Sequence, residues 1–115
     1  MLDFKSQNDR EREFFNQDFS VVNELLKRIR NALVSGKSIN IGDLDFSGII
    51  NFNPQETLVY ISLFQTGQKF IRYGSKRKDF ETTINRDIEM LRKNKSFQNF
   101  SVNDENSCRI MIEYY

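Results

Sequence analysis

The sequence predicts an α+β domain: a long N-terminal helix, a mostly antiparallel sheet of four to five strands, a second helix and a C-terminal strand. Three observations predict it. Apolar residues recur at helical spacing from Phe15 to Leu33. Strand-like apolar and β-branched runs occupy 57–64 and 108–115. Gly67 stands between the first of these runs and a further one at 68–73, where a hairpin needs a left-handed residue. Helices packed on one face of an antiparallel sheet satisfy that order.

The first helix rests on Phe15, Phe19, Val22, Leu26, Ile29 and Leu33, spaced alternately by four and three. This places six large apolar side chains on one stripe. Asn8 with Glu11 is a capping pair for its start, with Asp18 or Ser20 as caps of a shorter alternative. Gly36 suits its end, and Lys27, Arg28 and Arg30 suit the negative end of its dipole. Residues 1–8 are expected to form a flexible lead into a single domain covering 1–115.

Short strands are expected at 38–41, 44–46 and 48–52, followed by a turn at Asn53-Pro54-Gln55-Glu56. Thr57–Phe64 is the strongest strand. A three-residue loop, Gln65-Thr66-Gly67, then leads to the strand Gln68–Tyr73. That register puts Val59, Ile61 and Leu63 on one face with Ile71 and Tyr73. It puts Tyr60, Ser62, Phe64, Phe70 and Arg72 on the other. A two-residue loop would instead turn Arg72 into the core, where an unpaired charge is costly.

The second helix is expected over 79–93, capped by Asp79, with Phe80, Ile84, Ile88 and Leu91 as its apolar stripe. Phe97, Phe100 and Val102 are expected to plug the core. The last strand sets Cys108, Ile110, Ile112 and Tyr114 inward.

Composition excludes more than it assigns. The chain has 115 residues, 17 Lys plus Arg and 16 Asp plus Glu, so it is neither globally basic nor globally acidic. It has no His, which removes the commonest general base, metal ligand and pH switch. Its single Cys rules out an internal disulfide, and inward strand parity makes Cys108 an inert packed thiol. No apolar run is long enough to span a membrane, and the first residues lack the apolar core of a secretion signal. No cofactor and no metal site is expected. Asp43 and Asp45 share one face of an extended segment, but exposed turn carboxylates are the ordinary explanation.

Two surfaces remain as candidate sites. One is an interaction helix presenting Phe15, Phe19, Val22 and Leu26 to a partner. The other is a basic and aromatic surface of Tyr60, Phe64, Phe70, Arg72, Lys76, Arg77 and Lys78, within a segment, 69–78, that carries five cations and no acid. The expected function is that of a non-enzymatic protein-interaction or adaptor module, cytoplasmic and self-associating through the first helix, with a homodimer as one form. The alternative is a nucleic-acid or phosphate-binding domain that uses the basic segment and stacks bases on the aromatic face.

Overall fold

A computed structural model describes residues 2–3, 16–49, 58–67 and 69–115, the first six of these (2–3 and 16–19) through their backbone. The element order is Leu2–Asp3 (β1), Asn16–Ser35 (α1), Val59–Gln65 (β2), Lys69–Ser75 (β3), Phe80–Lys93 (α2), a 3-10 turn at Phe97–Asn99, and Cys108–Tyr114 (β4). β2 is central, pairing antiparallel with β3 on one side and β4 on the other. β1 adds a two-residue pairing to the outer edge of β4.

The expected helix followed by four to five strands is therefore corrected. The sheet is built on three seven-residue strands, and a short strand, not a helix, comes first. Residues 38–49 form no strand. Their apolar alternation is nonetheless real burial, since Ile39, Ile41 and Ile49 all belong to the core. The backbone partners are helix side chains. The Asn85 amide accepts from Ile39 N–H at 2.9 Å and donates to Ile39 O at 3.1 Å, and Glu81 Oε2 accepts from Ile41 N–H at 2.9 Å. An amide side chain thus supplies what a neighbouring strand would, so period-two burial appears without a strand. The turn expected at Asn53–Glu56, the cap expected at Asn8–Glu11 and most of the lead expected to be flexible at 1–8 lie outside the described residues; within 1–8, Leu2 and Asp3 pair with Tyr114 and Glu113.

The hairpin keeps the expected faces but not the expected loop: Gln65 belongs to β2 and pairs with Lys69, so Leu63 faces Ile71, Ile61 faces Tyr73 and Phe64 faces Phe70. The turn described between β2 and β3 is Thr66-Gly67, with Gly67 at φ 91°. Val59, Ile61, Leu63, Ile71, Ile110 and Ile112 form one buried sheet face. α1 brings Val22, Leu25, Ile29, Ala32 and Leu33 to it, and α2 brings Phe80, Ile84, Ile88 and Leu91. Phe100 and Val102 close its edge. Both helices therefore lie on the same side of the sheet.

α1 ends as Gly36 requires: its φ is 79° and its N–H donates to Ala32 O at 2.7 Å. The expected dipole role of Arg28 and Arg30 is corrected. Arg28 grips Asp43 with two bonds of 2.7 Å and Glu24 with one of 3.0 Å, and Arg30 donates to Val102 O. The carbonyl end of α1 is served instead from the other helix, by Arg92 Nε donating to Leu33 O at 3.1 Å.

Candidate functional site

Strand alternation sends every second residue of β2, β3 and β4 away from the helices. Three cross-strand rows result: Gly74–Tyr60–Glu113, Arg72–Ser62–Met111 and Phe70–Phe64–Arg109. Arg72 reaches from its own row into the neighbouring one. Its guanidinium lies 3.9 Å from the centre of the Tyr60 ring and reaches Glu113 Oε1 at 3.3 Å, crossing the central strand to do so. Glu113 is only 8% exposed, so this pair is partly shielded from water and from salt. Under the bridge, Ser62 is fully buried and its hydroxyl has no hydrogen-bond partner.

The Tyr60 ring fills the space over Gly74 that a side chain there would take. Its other neighbour is Tyr115, edge-on at 5.7 Å. Phe64 and Phe70 pack on each other at 5.0 Å, and Phe70 stays 52% exposed. Tyr115, at the far end of the face, is 53% exposed. The face thus presents two exposed rings separated by an arginine brace.

The structure brings Tyr60, Phe64, Phe70 and Arg72 onto one face, as expected, and sets Lys76, Arg77 and Lys78 apart from the aromatic pair. Five residues separate Phe70 from Lys76, six steps of extended chain or about 20 Å at strand rise. The three cations are exposed in the connector to α2. The N-terminus of α2 is already served from within, because Asp79 Oδ1 accepts from Thr82 N–H at 2.7 Å and that bond lowers the pKa of its carboxyl. Thr83 Oγ1 accepts from Arg77 N–H at 3.0 Å. An external anion at this terminus would meet the Asp79 carboxylate first.

Of the interaction helix, Val22 is buried and Leu26 packs against the core. The backbone of Phe19 lies within α1, and Phe15 falls outside the described residues. The part of the stripe that is described is thus used by the domain itself. Asp43 is held by Arg28, which depresses its pKa, and Asp45 accepts from Ser47 N–H. Among the described residues, no three His, Cys, Asp or Glu come together to hold a metal ion, and no helix is long and apolar enough to cross a membrane. Cys108 is a buried free thiol whose pKa is raised by burial.

Sequence reasoning missed Asp87. It is 0% exposed on the sheet-facing side of α2, and its Oδ1 accepts from the Ser75 hydroxyl at 2.6 Å. Burial pushes its pKa up to about 8, against the opposing pull of the Ser75 bond and the Arg77 charge. The signal was available: position 87 falls between Ile84 and Ile88 on the apolar stripe.

No family model, no curated protein and no solved structure matches this chain.

Proposed function

We propose that the chain is a non-enzymatic protein-interaction module that associates with a second copy of itself through the outward sheet face. The observation that supports this is the one-sided packing: both helices cover the same face, while the opposite face carries Phe70 and Tyr115, each about half exposed. Exposed rings around a partly desolvated arginine are the composition of an interface centre, where Tyr, Phe and Arg are enriched. The lack of His and the buried Cys108 support a role without nucleophilic catalysis.

This reading moves the association surface from α1 to the sheet, because Val22 and Leu26 serve the domain core. Light scattering over a concentration series tests it. The mass should rise from 13.7 kDa toward twice that value. Phe70→Asp should hold it at the monomer value without loss of helical signal. A mass that stays monomeric at millimolar concentration removes the self-associating reading.

A second reading is supported by the exposed run Lys76-Arg77-Lys78: contact with nucleic-acid phosphates. Binding of that kind must weaken steeply with salt, because each phosphate contact releases counterions. Neutralising Arg77 and Lys78 should flatten the salt slope by about one unit per lost contact. Absence of binding to single-stranded RNA at low salt removes this reading.

A further inference from the structure

A groove of about 760 Å³ lies between the turn after α1 and the outer side of α2. Its volume is that of a small-molecule site. The buried side chain of Ile88 contributes to its lining, and Ser38 and Thr82 add hydroxyls. The charged residues on its walls are Lys37, Arg86, Arg92 and Lys93 against the single acid Glu89.

Those four cations are not equivalent. Glu89 Oε1 accepts from Arg86 Nη1 at 2.6 Å and lies 3.7 Å from Lys93 Nζ, so two of them share one carboxylate. Arg92 is fixed differently. Its Nε is bound to Leu33 O, and its guanidinium lies against Gly36, where a β-carbon would fall 2.5 Å from Nη1. Among the described residues, no bond occupies Nη1 or Nη2. The Lys37 side chain likewise has no partner among the described residues. A guanidinium held by its Nε, with both terminal nitrogens unused, is ready for the two parallel bonds that a phosphoryl group accepts. It has little side-chain freedom left to lose on binding.

We propose that this groove binds a small phosphate-bearing molecule, with its phosphoryl group on Arg92 and Lys37. Unlike the proposed sheet interface, this site lies wholly on the helical side of the domain. Glu89 limits affinity by holding Arg86 and Lys93 and by opposing the anion directly.

The test is an amide-resolved NMR titration with inorganic pyrophosphate, against sodium chloride at matched ionic strength. Shifts should concentrate at Lys37, Ser38 and Arg92. Arg92→Gln should weaken binding at least tenfold and Lys37→Gln several-fold, while Glu89→Gln should tighten it several-fold. Arg92→Gln also removes the bond to Leu33. If that variant does not fold, Lys37→Gln and Glu89→Gln, both exposed, decide the outcome. Shifts centred on Lys76–Lys78, or an affinity unchanged by both exposed variants, overturn the site and leave Arg92 as a cap for α1. Citrate binding as tightly as pyrophosphate overturns the phosphate assignment.

Discussion

Asn85 holds Ile39 by both of its backbone groups, accepting from its N–H at 2.9 Å and donating to its carbonyl at 3.1 Å. This clasp fixes the segment after α1 along α2 and lets Ile39 and Ile41 enter the core without a strand. Asn85→Ala leaves two backbone groups unsatisfied in a part-buried seam. The expected loss is about 1–3 kcal/mol in urea unfolding, the usual cost of orphaning such groups. Amide exchange at Ile39 should accelerate in the same variant. Unchanged exchange there would show that solvent already satisfies the pair.

That clasp also explains what could be read from the sequence. Burial was legible at Ile39 and Ile41, because alternation reports which side chains face inward. The source of the hydrogen bonds was not, since a single Asn on a later helix leaves no periodic trace. Which side chains of β2 and β3 share a face was legible for the opposite reason: Gly67 and the cost of burying Arg72 leave one parity, although the loop itself was placed one residue early. The outward set of Tyr60, Phe64, Phe70 and Arg72 followed from that parity. The bridge from Arg72 to Glu113 did not, because it depends on β4 lying beside β2, which no local pattern encodes.

Asp87 gives the fold a defined pH dependence. Its pKa is raised from 3.8 to about 8, so the folded chain keeps a proton that the unfolded chain releases. Between those values the folded state binds more protons, and stability falls as pH rises. The contribution is complete below about pH 4 and lost above about pH 8, with a magnitude on the order of a few kcal/mol. Asp87→Asn keeps an acceptor for Ser75 and carries no charge. Denaturant midpoints measured at pH 5 and pH 9 should differ less in the variant, and the variant should be the more stable at pH 9. A wild-type midpoint that rises over this range contradicts the assignment.

Ser62 is a buried hydroxyl without a hydrogen bond, beneath the Arg72 bridge. Its desolvation is uncompensated, so removing the oxygen should not destabilise the sheet as a buried deletion ordinarily does. Ser62→Ala is expected to be neutral or stabilising by up to about 1 kcal/mol. A loss of 2 kcal/mol in thermal or denaturant unfolding would show that the hydroxyl has a partner.

Gly74 and Tyr60 are directly paired across β2 and β3, and the Tyr60 ring occupies the place of a Gly74 side chain. Gly74 carries no positive φ, so its need for glycine is steric and not conformational. Two consequences follow. Gly74→Ala alone must displace the ring, and with it the seat of the Arg72 guanidinium and the edge contact to Tyr115. Overpacking of this kind costs about 1–3 kcal/mol. Tyr60→Ala removes the obstacle, so adding Gly74→Ala to it should cost little or even gain from improved strand propensity. The double-mutant cycle should therefore show a coupling of at least about 1 kcal/mol, with the second substitution partly rescuing the first. Additive losses would mean that the ring moves aside freely, and that the brace over the outward face does not depend on the glycine beneath it.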